Sequence, residues 1–112
     1  MLANLQAALE GAWSIETSSR WRPDNPAIGQ CSVTALVVHD ILGGELAKTE
    51  IGSSWHFYNM VGGERLDCSA SQFVEAVTYS DLPASRDEAL LDASPEQYRI
   101  LRQRVLAKLG QS

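Results

Sequence analysis

At 112 residues, with 45% hydrophobic and 21% charged residues, the chain has the make-up of one globular domain, 1–112, with a modest core. Nine Lys and Arg against fourteen Asp and Glu leave a net charge of −5, which excludes a general binder of nucleic-acid backbones, since those need a basic surface. No apolar run reaches membrane-spanning length, and Met1 to Gln6 has neither a basic start nor a long apolar core, so the expectation is a cytoplasmic protein with no membrane partner and free thiols at both cysteines.

Leu2, Leu5, Leu9 and Trp13 recur at steps of three and four and predict an amphipathic helix over 2–13. Ser14 to Arg20 is polar. Trp21 to Pro26 reads as a loop, because proline disfavours helix at the residue before it. From Cys31 to Leu42 the chain is apolar nearly all round and then stops at Gly43-Gly44. Such a pattern predicts a helix buried in the middle of the domain. A short strand is expected over 45–51, ended by Gly52-Ser53-Ser54, and a second over the aromatic run 55–61.

Gly62-Gly63 is a hairpin signal, with Glu64 to Cys68 as the return strand. A further strand is expected over Val74–Tyr79 and a loop over Ser80–Ser85. Ser85 with Glu88 forms a capping box for a helix through Leu91. Ser94-Pro95-Glu96-Gln97 starts a last helix with an apolar stripe of Tyr98, Leu101, Val105 and Leu109. Its Arg99, Arg102, Arg104 and Lys108 are expected on a solvated face. The fold class is α+β: a central helix led by a cysteine, packed on a small antiparallel sheet and flanked by terminal helices.

The chemistry-bearing residues follow from this layout. Cys31 opens the buried helix, where free N–H groups and the helix dipole favour a thiolate. A turn at Gly62-Gly63 makes paired hairpin positions sum to 125 and sets Tyr58 opposite Asp67. His56, Tyr58, Asp67 and Ser69 then share one face, with His56 and Asp67 diagonal neighbours. Cys31 as nucleophile, His56 as its base and Asp67 as the group orienting the imidazole form a Cys–His–Asp arrangement. The backbone N–H of Cys31, helped by Gln30 or Gln72, would hold an oxyanion. Trp21 and Tyr58 are the expected substrate contacts.

Blander roles are open to the same residues. Free cysteine is often simply a buried apolar side chain, and this applies to Cys68 above all. His56 would serve as a hydrogen-bonded core histidine, and His39 as a structural or surface one. Cys31, His39, His56 and Cys68 lack the close ligand pairs of common zinc modules, so no metal and no cofactor are expected. Trp13, Trp21 and Trp55 would line a cleft or fill the core.

The run Asn25-Pro26-Ala27-x-Gly29-Gln30-Cys31-x-Val33-Thr34-Ala35, continuing to Gly43-Gly44-Glu45, resembles the YunG-like family of small bacterial proteins. Trp55-His56-x-Tyr58-Asn59, Asp67-x-Ser69-Ala70-Ser71-Gln72-Phe73 and Ser85-Arg86-x-Glu88-Ala89 carry the same resemblance, which spans about residues 13–106. It implies a shared shape rather than an assigned activity. More distantly, cysteine at a helix start, histidine on a strand and aspartate on the next is similar to transglutaminase-like and papain-like thiol enzymes. That similarity implies their core and a thiol-dependent acyl-transfer or amide-hydrolase activity on an amide- or ester-bearing small molecule or protein. The rivals are a non-catalytic binding or adaptor module on the same fold and an oligomerisation protein joined through its tryptophans. The sequence assigns no oligomeric state.

Overall fold

The computed structural model describes residues 2–110. Among them are four α-helices: α1 (Leu2–Ala12), α2 (Cys31–Leu42), α3 (Arg86–Asp92) and α4 (Pro95–Lys108). Four strands, β1 (Glu45–Ile51), β2 (Ser54–Val61), β3 (Glu64–Leu66) and β4 (Leu82–Ala84), form one antiparallel sheet in the order β3-β2-β1-β4. The architecture is α+β. No helix among the described residues is long and apolar enough to cross a membrane.

The all-round apolar character of α2 follows from its position. Val33, Val37 and Val38 pack with Leu5 and Leu9 of α1 and Leu101 and Val105 of α4. Ala35 and Leu36 pack with Leu46, Phe57 and Ala89. A helix covered on both sides has no solvated stripe, and truncating Leu36 to Ala would cost about 2–5 kcal/mol. Trp13 follows the end of α1 and is core; its indole N–H donates to Thr34 Oγ1 at 3.0 Å. The chain leaves α2 through Gly43 and Gly44 at φ near +75°. At Gly44 a Cβ would lie 2.3 Å from the Met60 carbonyl oxygen, so β1 enters the sheet only because that residue is glycine.

The Gly62-Gly63 hairpin has the expected register: Val61 pairs with Glu64, Met60 with Arg65 and Asn59 with Leu66. The return strand is shorter than expected. β3 ends at Leu66, so the pairing of Tyr58 with Asp67 does not form. Asp67 Oδ1 instead accepts from the backbone N–H and hydroxyl of Ser69 at 3.3 and 3.4 Å, a local turn that draws the chain out of the ladder. β1 also forms a tight hairpin with β2: Ile51 pairs with Ser54, which belongs to the strand rather than to the break.

The strand expected over Val74–Tyr79 is absent, and the loop expected over Ser80–Ser85 contains β4. β4 pairs Ala47 with Pro83 at the sheet edge, where a proline's missing N–H is tolerated. The Thr49 side chain guides the approach: its hydroxyl donates to Thr78 O and accepts from Ser80 N–H, both at 3.0 Å. α3 carries the expected reciprocal cap between Ser85 and Glu88, and Ser94 caps α4 through Gln97 N–H. Arg104 departs from the solvated face expected for it. Its guanidinium donates to Ala12 O and Ser14 Oγ and pairs with Glu16, tying α4 to the end of α1.

Candidate functional site

Cys31 is the first residue of α2, and the loop before it is built around Gly29. Gly29 has φ +72, and a Cβ there would lie 2.5 Å from Ser18 Oγ, which itself donates to Ile28 O. Gln72, in the short helical turn that follows β3, fastens this loop. Its Oε1 accepts from Gly29 N–H at 3.3 Å, and its backbone carbonyl accepts from Asn25 Nδ2 at 3.0 Å. The first turn of α2 has no side-chain cap, so its opening N–H groups are not occupied by Gln30.

His56 lies on β2. The Asn59 side chain donates to Ala35 O at 3.0 Å and so locks this strand to α2 one helical turn beyond Cys31. His56 Nε2–H donates to Asp67 Oδ2 at 2.6 Å, with both side chains at or below 5% exposed. The ring is wedged between Tyr58, stacked at 5.8 Å, and Phe73, edge-on at 4.9 Å. Its second nitrogen, Nδ1, is buried without a hydrogen-bond partner. Burial works against the charged ring. The hydrogen bond to Asp67, with its charge, and the adjacent Cys31 overcome it and raise the His56 pKa from 6.5 to about 9. The ring is therefore an imidazolium at neutral pH, between a carboxylate and the thiol.

Cys31 and His56 open into a cleft of about 400 Å³, lined also by Arg20, Trp55, Gln72 and Phe73. Cys31 is half-buried, whereas Cys68 is buried in the core with its thiol pushed up to about 11 by desolvation and by Asp67. The two cysteines are free.

The profile of the YunG protein family matches residues 1–110. The chain belongs to the YunG family. It is 42% identical over 102 residues to the uncharacterized protein YunG of Bacillus subtilis (strain 168), an alignment covering 91% of this chain and 89% of that protein. No solved structure matches, so the resemblance to transglutaminase-like and papain-like enzymes has no structural relative behind it. Cys31, His56, Asp67 and Gln72 all fall inside the stretch matched to the YunG family.

Other expected site residues of this YunG-family chain are placed differently. Gln72 lines the cleft, but both its amide groups are used: Oε1 on Gly29, and Nε2 on the carbonyl and hydroxyl of Ser69. It is a clamp between loops, without the free donor an oxyanion would need. The Gln30 amide is fully buried without a partner and is not part of the cleft lining. Trp21 packs against the α1–α4 core, and its indole N–H is buried without a partner. Tyr58 is buried; its hydroxyl donates to Asp81 Oδ1 and accepts from Asp81 N–H, so it supports the His56 ring rather than meeting a substrate. Trp55, by contrast, is exposed at the cleft wall, with the Lys48 ammonium 4.6 Å from its ring.

Tyr79 carries a role the sequence did not signal. Its hydroxyl donates to Asp67 Oδ2 at 2.7 Å, its ring stands edge-on to Tyr58, and Arg65 lies over it at 4.3 Å. Nothing in the local pattern around Tyr79 points to Asp67; only the tertiary path of 73–81 brings them together. His39 is structural: Nε2–H donates to Gly44 O and Nδ1 accepts from Arg86. Among the described residues no three His, Cys, Asp or Glu stand where they could hold a metal ion.

Proposed function

We propose that this protein is a thiol-dependent acyl-transfer or amide hydrolase in which Cys31 is the nucleophile, His56 its proton partner and Asp67 the group that orients His56. One observation carries this reading: the buried His56 ring gives one nitrogen to Asp67 at 2.6 Å and leaves the other without a hydrogen-bond partner in the cleft it shares with a half-exposed thiol. A core histidine in a merely structural role normally has both nitrogens satisfied.

In this mechanism the thiolate of Cys31 attacks the carbonyl carbon of an amide or ester. The carbonyl electron pair moves to oxygen, where the open N–H groups at the start of α2 are the available donors. As the tetrahedral species collapses, the His56 imidazolium gives its proton to the leaving amine or alcohol and a thioester remains on Cys31. Water or an acceptor amine then attacks the thioester, His56 takes its proton, and the thiolate leaves. The buried carboxylate of Asp67 holds the ring and balances its charge throughout. No cofactor enters these steps. The acyl donor is an amide or ester of a protein or small molecule, and the expected setting is the cytoplasm. The thiol-enzyme core implied by the transglutaminase-like and papain-like resemblance belongs to this proposal.

The reading is tested without knowledge of the substrate. p-Nitrophenyl acetate supplies an activated acyl group of minimal size. The proposal expects a burst of nitrophenol, acetyl on Cys31 by peptide mass mapping, and slow turnover. Acetylation no faster at Cys31 than at Cys68 contradicts it.

A further inference from the structure

The cleft at Cys31 is flanked by two further grooves that share walls with it. One, which shares Ile51 and Phe73 with it, is a groove of about 420 Å³ bordered by Glu50, Val74 and Glu75. The other, which shares Ser54, Trp55 and Asp92 with it, is a groove of about 460 Å³ bordered also by Leu91. Each part alone has the volume of a small-ligand site, so a small amide at Cys31 would leave both extensions empty. Their walls carry apolar side chains left in water: Val74 and Leu91 are almost wholly exposed, and Trp55 is 44% exposed.

The charge along this path is mostly of one sign. Glu50, Glu75 and Asp92 are exposed and form no ion pair among the described residues. Glu88, also on the path, pairs with Lys48. Arg20 is the one guanidinium that the path meets. Unpaired carboxylates beside apolar walls favour cationic side chains with aliphatic stems and repel phosphates and acidic peptides.

We propose that this path binds an extended polypeptide segment with apolar and basic side chains, presenting one of its amides to Cys31. The placement of that amide rests on the thiol-enzyme reading above; the binding of the segment does not. Apolar side chains cover Val74, Trp55 and Leu91. Lysine or arginine side chains reach Glu50 and Glu75 in one extension and Asp92 in the other.

The test separates binding from chemistry by using full-length Cys31→Ala protein. Two fluorescein-labelled peptides of about nine residues, extended to ~30 Å, match the 34 × 30 × 25 Å breadth of the protein. One alternates Leu with Lys and the other Leu with Glu. Fluorescence anisotropy should show the Lys peptide binding at least about tenfold tighter, an advantage that shrinks as salt rises. Glu50→Gln, Glu75→Gln and Asp92→Asn together should weaken it about tenfold. Asp24→Asn with Glu64→Gln, which removes exposed carboxylates away from the path, should change it less than about twofold. In the parent protein the Lys peptide should slow alkylation of Cys31. Equal affinity for the two peptides, equal loss in both sets of variants, or no protection of Cys31 overturns the proposal. If the peptide binds as described and Cys31 still fails to take acetyl from the ester, the enzyme reading falls and the binding inference stands.

Discussion

Tyr79 and His56 donate to the same oxygen, Oδ2 of Asp67, at 2.7 and 2.6 Å. The other oxygen, Oδ1, accepts from Ser69. A buried carboxylate held from both sides has little freedom to rotate, and the imidazole it carries is held with it.

Tyr79→Phe removes one of those donors and keeps the ring that packs against Tyr58 and Arg65. The expected loss is about 1–3 kcal/mol, the cost of depriving a buried charged acceptor of a hydrogen bond. Urea unfolding of parent and variant measures it. A loss below about 0.5 kcal/mol would mean that the Tyr79 hydroxyl does not support the carboxylate.

Stability should fall as pH rises through the titration of His56. Its pKa is raised from 6.5 to about 9 on folding, so the folded state holds the proton more tightly. The stabilisation is complete below pH 6.5 and is lost as pH climbs to about 9. The shift corresponds to something of order 3 kcal/mol. Thermal melts across this range should show the decline in the parent and a flatter profile in His56→Gln. A parent profile no steeper than the variant's would show that His56 gains no proton affinity on folding.

Gly44→Ala and Gly52→Ala both place a side chain at positive φ, where an L residue is strained by about 1–2 kcal/mol. At Gly52 the added Cβ meets open space, but at Gly44 it meets the Met60 carbonyl. Gly44→Ala should therefore be clearly the more destabilising in a thermal melt. Equal shifts in melting temperature would mean that the α2–β1 junction yields to the added methyl.

Much of this site was legible because local rules and tertiary structure agree there. Cys31 leads its helix and Gly43 ends it because loop and cap residues bracket an apolar run. The Gly62-Gly63 turn alone determined which residues face each other across the hairpin. Asp67 reached His56 by a different route from the one expected. The turn at Ser69 took it out of the ladder, and side-chain reach supplied the contact. β4 was hidden because three residues containing a proline carry no strand pattern, and their pairing depends on the distant β1 edge. Gln72 lines the cleft and Tyr58 lies behind the His56 ring, but their polar groups are engaged by Gly29, Ser69 and Asp81. That engagement is a tertiary fact with no signature in the spacing of the chain.

The two thiols should differ sharply in reactivity. Cys68 is buried, and its pKa near 11 leaves about one thiol in a thousand ionised at pH 8. Cys31 is half-exposed at the cleft beside a charged imidazole. Iodoacetamide at neutral pH, followed by peptide mass mapping, should label Cys31 long before Cys68. Comparable rates would place Cys31 with the inert core thiols.

The central claim is that Cys31 and His56 act as a pair, and the most direct measurement is the alkylation rate of Cys31 at pH 7 in parent, His56→Ala, Asp67→Asn and His39→Ala, each with a thermal melt. Folded His56→Ala should react at least about tenfold more slowly, because the thiol has lost the imidazolium proposed to pair with it. Asp67→Asn should fall between it and the parent, since the carboxylate acts on the thiol only through the ring. His39→Ala, whose ring is engaged with Gly44 and Arg86, should match the parent. If folded His56→Ala alkylates at the parental rate, the pair does not exist and the fold serves a binding module instead.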